Sequence, residues 1–163
     1  MPSLSIRTAT SATDFEQLGA LVREYVESLP FVLDFQDIEH ELAHLDTEYG
    51  PPDGCAWLAE IEGVPVGCVA LRPLEPPLVA ELKRMYVKPA GRHQGAGRAL
   101  AVAALDRARD LGYERVRLDT VAELVEAGKL YETLGFFEIE PYRHNPLPTA
   151  RFYEVRLSEA GSR

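Results

Sequence analysis

The stretch from Glu81 to Leu100 constrains this chain more than any other, because three kinds of backbone behaviour follow one another there without a break. Glu81-Leu-Lys-Arg-Met-Tyr-Val-Lys-Pro reads as a strand. Arg92-His-Gln-Gly-Ala-Gly reads as a turn in which Gly95 and Gly97 allow a ligand close to the backbone, and an amphipathic helix starts straight after it. Such a helix points its unpaired N–H groups back into the turn, so the turn is predicted to hold an anion. The charge pattern agrees. The chain carries 26 acidic and 17 basic residues, a formal charge of -9, yet no acidic residue occurs from Leu82 to Leu105, where Lys83, Arg84, Lys88, Arg92 and Arg98 fall. A phosphate-bearing ligand would meet locally positive protein there, while the overall field repels nucleic acid and anionic membranes.

The rest of the chain reads as alternating elements. Ser5 to Thr8 suits a first strand, and Thr13-Asp-Phe-Glu16 a capping box opening a helix with Leu18, Leu21, Val22, Tyr25 and Val26 on one face, ending near Leu29-Pro30. Gln36 to Leu45 suits a second helix, and Gly50-Pro-Pro-Asp-Gly breaks the chain. Ala56 to Ile61 and Val64 to Leu71 form an expected hairpin around Glu62-Gly63, followed by a loop from Arg72 and a strand from Val79 to Val87. Leu100, Ala104, Leu105, Ala108 and Leu111 mark a helix that Gly112 can stop, then come a strand from Val116 to Thr120 and a helix through Leu124, Ala127, Leu130, Tyr131 and Leu134 closed by Gly135. Two strands follow, near Phe136 to Ile139 and Phe152 to Leu157.

No repeat or linker interrupts this order, and 163 residues, 46% of them hydrophobic, are enough for one core, so a single domain over residues 1–163 is expected. Met-Pro-Ser-Leu-Ser-Ile-Arg has no signal-peptide pattern and no run approaches a membrane span, which points to the cytoplasm. Cys55 and Cys68 fall in neighbouring strands that could bring them face to face, but two cysteines make no disulfide framework.

Two motifs in this order carry a resemblance to the GNAT superfamily of acyl-CoA-dependent N-acyltransferases. Arg92-His-Gln-Gly95-Ala-Gly97 resembles its Arg/Gln-x-x-Gly-x-Gly/Ala pyrophosphate loop, and Leu130-Tyr131-Glu-Thr-Leu-Gly135-Phe136 its Leu-Tyr-x-x-Leu-Gly-Phe helix end. A narrower likeness, to small bacterial members of poorly defined substrate, runs through Phe35-Gln36, Glu81-x-Lys83-Arg84-x-Tyr86-Val87, Arg117-Leu-Asp119-Thr120 and Pro141-Tyr142 with Asn145-Pro146. The resemblance implies an α/β (α+β) fold, with a mixed, mostly antiparallel central sheet flanked by helices. It also implies an N-acetyltransferase that moves an acetyl group from acetyl-CoA to a primary amine by direct attack.

By the same likeness, acetyl-CoA would pair with Met85, Tyr86 and Val87 and rest its phosphates on Arg92, His93, Gln94, Gly95, Ala96 and Gly97, with Arg98 as a further contact. The backbone N–H of Val87 is then the oxyanion donor and Tyr131 the acid that protonates the leaving thiolate, although periodicity alone would assign Tyr131 to core packing. Either Glu81 or Asp119 takes the proton of the amine, unless Glu81, Lys83, Arg84 and Asp119 are tied up in an ion-pair network. The acceptor cleft is expected between Leu29 and Gln36, including Phe31 and Phe35, with Tyr142 and Asn145 closing it. Lys83 and Arg84 suggest an amino-acid-like acceptor, against which stands the strand alternation that sends them to opposite faces. Where many relatives carry asparagine one turn into the tyrosine helix, this chain has Leu124. The resemblance also allows a homodimer and a protein acceptor.

Three other readings compete. His40-Glu41-Leu-Ala-His44 is a literal H-E-x-x-H, which on one helix would bind zinc and give a hydrolase; the metal-free family reading leaves both histidines solvated. Gly95-Ala-Gly97 resembles a dinucleotide fingerprint that lacks its third glycine. An acyl-CoA-binding sensor without catalysis would keep the loop and lose turnover.

Overall fold

The computed structural model describes residues 3–29 and 35–157. Seven strands, β1 (Leu4–Thr8), β2 (Cys55–Ile61), β3 (Val64–Glu75), β4 (Val79–Val87), β5 (Arg115–Val121), β6 (Phe137–Ile139) and β7 (Ala150–Arg156), make one sheet in the order β1-β2-β3-β4-β5-β7-β6. Its helices are α1 (Ala12–Ser28), α2 (Phe35–Ala43), α3 (Leu45–Glu48), α4 (Ala96–Asp110) and α5 (Val125–Thr133). β4 and β5 run parallel, whereas β1 with β2, β2 with β3, β5 with β7 and β6 with β7 are antiparallel. The mixed, mostly antiparallel sheet implied by the resemblance is therefore the one observed.

Two compact units divide the chain, one comprising the residues up to Arg72 with Lys83–Ala104, the other Pro73–Leu82 with the residues from Leu105 on. In the first, Leu18, Leu21 and Val22 of α1 pack on Ala56 and Leu58 of β2, Cys68 and Ala70 of β3, and Tyr86 of β4. Each fully buried leucine there contributes about 1.5–3 kcal/mol of apolar transfer. The β2/β3 hairpin turns on Glu62 and Gly63, both at positive φ (55° and 78°), which is the two-residue turn whose twist suits paired strands. The second unit has its own buried set, including Val116, Leu118, Tyr131, Phe136, Phe152 and Val155.

Four local expectations need correction. The helix cap is Ser11, not Thr13: its hydroxyl accepts from the Asp14 amide (3.1 Å) and the Asp14 carboxylate accepts from the Ser11 amide (3.1 Å). Ser-x-x-Asp competes with the overlapping Thr-x-x-Glu and wins because it starts the helix earlier. The second helix stops at Ala43, because His44 leaves helical geometry (φ -132°, ψ 30°) and α3 then carries Leu45 and Tyr49 into the core. β3 runs on to Glu75 through Pro73, whose missing N–H weakens the strand signal in the sequence. Cys55 stands opposite Leu71 and Cys68 opposite Leu58, so the thiols are out of register and neither is in a disulfide.

Candidate active site

In the first unit β4 ends at Val87, and the Lys88 amide still reaches the Val66 carbonyl (2.7 Å). A 3-10 turn, Pro89–Gly91, follows, with Gly91 so close to β3 that a Cβ there would lie 2.8 Å from the Val66 Cβ. The Arg92 Nε donates to the Val87 carbonyl (3.0 Å) and the Gln94 amide nitrogen to the Ala90 carbonyl (3.2 Å), bracing the turn against the strand. His93 (φ 64°) and Gly95 (φ 82°) are both left-handed, and the first helical bond runs from the Ala99 amide to the Gly95 carbonyl (3.0 Å). Arg92 to Gly95 are exposed, and the first turn of α4 contains no acidic residue. Left-handed residues alternating with ordinary ones, followed by the unpaired amides of a long helix, form an anion-binding concavity. This is the stretch to which the resemblance assigns the diphosphate.

The rest of β4 in this unit is spoken for differently. Tyr86 is buried and its hydroxyl donates to Glu24 (2.7 Å). Burial first, and the Glu24 carboxylate second, push that phenol up to about 12. Any contact of Tyr86 with a bound cofactor would therefore come through its backbone. Arg84 has a positive φ (59°), which breaks the regular alternation assumed for Lys83 and Arg84. Its guanidinium forks onto Glu41 of α2 (2.7 and 2.8 Å), with both side chains largely buried. Burial pushes the Glu41 carboxyl up, but the bonds and charge of Arg84 outweigh it and hold the group below its ordinary value.

This pairing also takes Glu41 out of the H-E-x-x-H arrangement, while the His40 and His44 rings stay 4.5 Å apart. Glu41 is spent on Arg84, and His44 lies past the end of α2 with its Nδ1 2.8 Å from the His40 carbonyl. Among the described residues no group of three or more His, Cys, Asp or Glu side chains could hold a metal ion. Phe31 and the side chain of Phe35, expected in the acceptor cleft, lie outside the described residues.

In the second unit Glu81 is fully buried, while its register partner across the parallel pair is Arg117. It accepts from the Tyr142 hydroxyl (2.7 Å) and pairs with Arg143. Glu81 is thus in an ion pair with Arg143, which the network considered from the sequence did not include, while Arg84 pairs with Glu41. Asp119 on β5 is partly buried and accepts from the Asn145 side chain (3.3 Å), so Tyr142 and Asn145 do converge on the two candidate carboxylates.

Tyr131 is buried on α5, one turn before a left-handed Gly135 (φ 97°). The Phe136 amide bonds the Tyr131 carbonyl (3.0 Å), the Gly135 amide the Glu132 carbonyl (3.1 Å), and the Tyr131 and Phe136 rings lie 5.5 Å apart. Leu-Tyr-x-x-Leu-Gly-Phe is therefore a Schellman cap with its apolar contact, and the cap fixes where Tyr131 sits. At the other end of α5, Leu124 occupies the N-cap and makes no side-chain capping bond.

A diphosphate-type loop opening α4, followed in the chain by this capped tyrosine helix, agrees with a family model for the GNAT acetyltransferase family that matches residues 19–136. The chain belongs to the GNAT family. It is 35% identical over 158 residues to an uncharacterized N-acetyltransferase of Schizosaccharomyces pombe, covering 96% of this chain and 97% of that protein. It is also 35% identical over 133 residues to N-acetylaspartate synthetase of Rattus norvegicus, covering 80% of this chain but only 44% of the synthetase. Among solved structures, a GNAT acetyltransferase from Staphylococcus aureus superposes with a TM-score of 0.79 at 21% identity, covering 96% of this chain and all of that one. A Salmonella typhimurium protein solved with its cofactor acetyl-CoA gives a TM-score of 0.69 at 18% identity, covering 98% of this chain and 96% of that one. These two structures establish the GNAT fold.

Sequence reasoning named Glu81, Asp119, Tyr142 and Asn145, which the structure joins in two hydrogen-bonded pairs. It missed Arg143, Glu24 and Glu41 as partners, because nothing local signals a pairing across 62, 62 or 43 residues of chain.

Proposed function

We propose that this GNAT protein transfers the acetyl group of acetyl-CoA to the primary amine of a small, amino-acid-like acceptor. The observation that carries the reading is the braced loop from Arg92 to Gly97, with left-handed His93 and Gly95 ahead of an acid-free helix start. The likeness to N-acetylaspartate synthetase, whose name specifies acetylation of an amino acid, supports the acceptor class. In this reading the amides of residues 93–98 and the side chain of Arg92 bind phosphate, Met85 to Val87 offer backbone to the cofactor arm, and the Val87 N–H receives the developing oxyanion. The amine attacks the thioester directly, a carboxylate takes its proton, and Tyr131 protonates the leaving thiolate. Tyr142 and Asn145 line the acceptor side. Arg84, neutralised by Glu41, serves to hold α2 on β4.

Calorimetric titration with acetyl-CoA, followed by CoA release over a panel of amino acids and other amines, tests the reading. One-site binding and turnover with an amino acid are expected; absence of acetyl-CoA binding would end it. Gly97→Asp, which sets a side chain and a negative charge against the phosphates, is expected to weaken acetyl-CoA binding by tenfold or more, on the order of 1.4 kcal/mol.

A further inference from the structure

Two carboxylates compete for the proton of the amine, and the second unit treats them unequally. Glu81 has no exposed surface, and a carboxylate taken wholly out of water persists only where it is paired and hydrogen-bonded. One short segment supplies two of its partners, the Tyr142 hydroxyl at 2.7 Å and the guanidinium of Arg143. Tyr142 in turn has Arg143 5.0 Å and Arg117 5.8 Å from its ring centroid, and meets Phe152 edge-on at 5.1 Å. Arg117 is itself fixed by Glu154 (2.8 Å) and Glu75 (2.7 Å). Burial above all, then the charge of Glu81, push the Tyr142 phenol well above its usual range, so it stays a donor to Glu81.

Three residues on, the Asn145 side-chain oxygen accepts from the Leu147 amide (3.0 Å), which turns its NH₂ toward Asp119 at 3.3 Å. That bond engages one oxygen of a carboxylate that is only partly buried. The same segment is therefore pinned at one end by a wholly buried carboxylate that bonds two of its residues, and at the other orients a carboxylate that is only partly buried.

We infer that Glu81 is an anchor and Asp119 the working carboxylate: Glu81, through Arg143 and Tyr142, holds the segment whose Asn145 orients Asp119 toward the acceptor amine. Arg143 thereby becomes a positioning residue for acetyl transfer. The inference rests on the acetyltransferase reading. In the reaction, Asp119 accepts one proton from the acceptor ammonium, the freed nitrogen lone pair forms the N–C bond, the C–S bond breaks, and the thiolate takes a proton from Tyr131. Asp119 then releases its proton to solvent, and the acylated nitrogen gives up its second proton through water to the Tyr131 phenolate, leaving a neutral amide and free CoA thiol.

The test measures kcat and KM of Glu81→Gln, Glu81→Leu, Arg143→Ala, Arg143→Lys and Asp119→Asn with acetyl-CoA and an amine used by the wild type, alongside amide hydrogen exchange over residues 141–147. Glu81→Gln still accepts from Tyr142 and Arg143, and its kcat is expected to fall by less than about tenfold, whereas Asp119→Asn loses about a hundredfold or more. Arg143→Ala is expected to lower kcat by tenfold or more and to speed exchange at 141–147, with acetyl-CoA affinity kept and Arg143→Lys restoring part of the rate. Glu81→Gln as inactive as Asp119→Asn would make Glu81 the base and overturn the inference, and so would an Asp119→Asn enzyme at wild-type rate. Glu81→Leu adds a stricter test of the anchor, and should it fail to fold, the Gln and Arg143 variants still decide. A wild type that turns over no amine refutes the acetyltransferase reading instead. Exchange in Arg143→Ala then still judges the anchor, which falls if residues 141–147 exchange at the wild-type rate.

Discussion

Gly95 and Gly67 are both glycines for physical reasons, but the reasons differ and so do the expected costs. Gly95 sits at φ 82° with open space around any added Cβ, so Gly95→Ala pays only for a left-handed L-residue, about 1–2 kcal/mol. Gly67 has an ordinary φ, but a Cβ would fall 2.8 Å from the Tyr86 carbonyl oxygen and 3.3 Å from both Leu100 and Val87. Backbone cannot yield there as a flexible side chain would. Urea unfolding should therefore rank Gly67→Ala as the more destabilising change, while Gly95→Ala shows the larger loss of acetyl-CoA affinity relative to its stability cost. Equal losses of affinity per kcal/mol of stability would dissociate Gly95 from the ligand loop. Tyr131→Phe keeps the ring that packs on Phe136, so stability should hold while kcat drops by about 10²-fold or more and acetyl-CoA binds within about twofold of wild type. An unchanged kcat would remove Tyr131 as the acid. Cys68, buried and hydrogen-bonded to the Arg84 carbonyl (3.3 Å), has its thiol pushed up to about 12, chiefly by burial. Thiol titration of the native protein at pH 8 should accordingly find Cys55 reactive and Cys68 silent until unfolding.

At the scale of elements, α1 shows how a short signal sets a boundary. The Asp14 carboxylate accepts from the Thr10 amide (2.9 Å) and the Ser11 amide (3.1 Å) and pairs with Arg7 of β1. These bonds, the Thr10 amide foremost and then Arg7, hold the Asp14 carboxyl well below its ordinary range. A carboxyl lowered in the folded state adds stability above its unfolded value, near 4, and loses it as the pH falls below that point toward the folded value. Ser11→Ala should cost about 1 kcal/mol at pH 7. Asp14→Ala should cost more, and its deficit against the wild type should shrink as the pH is lowered from 5 to 2, because the wild type is losing the same interaction. A deficit independent of pH would mean that Asp14 acts through packing alone.

The helix ends at Gly112 and Gly135 and the hairpin at Glu62-Gly63 could be read in the sequence, since left-handed residues are where glycine is informative. The break at His44, the run of β3 through Pro73 and the left-handed Arg84 could not, because packing of Leu45 and Tyr49 and contacts distant in sequence decide them. The site divides the same way. The loop proposed for the phosphates is a local backbone device and is written in contiguous residues, whereas the pairing of Glu81 with Arg143 and of Glu41 with Arg84 exists only once the chain has folded.

Over the whole molecule, the net charge of -9 and the acid-free window from Leu82 to Leu105 act on a polyanionic ligand at different ranges. The Debye length is about 30 Å in 10 mM salt and about 8 Å at 150 mM, so in dilute buffer an approaching acetyl-CoA feels the total charge long before it feels Arg92 or Arg98. In the proposed bound state it meets amides and cations at contact distance, where screening matters less. Repulsion thus governs the approach and attraction the bound state. Stopped-flow mixing should then show the association rate constant rising by about two- to tenfold between 10 and 150 mM salt, with a smaller change in the dissociation rate, so that affinity improves. Arg98→Ala should raise the dissociation rate at both salt concentrations while leaving the slope of association with salt nearly unchanged. An association rate that falls with salt would mean that the cationic window, not the total charge, sets the field that the cofactor meets.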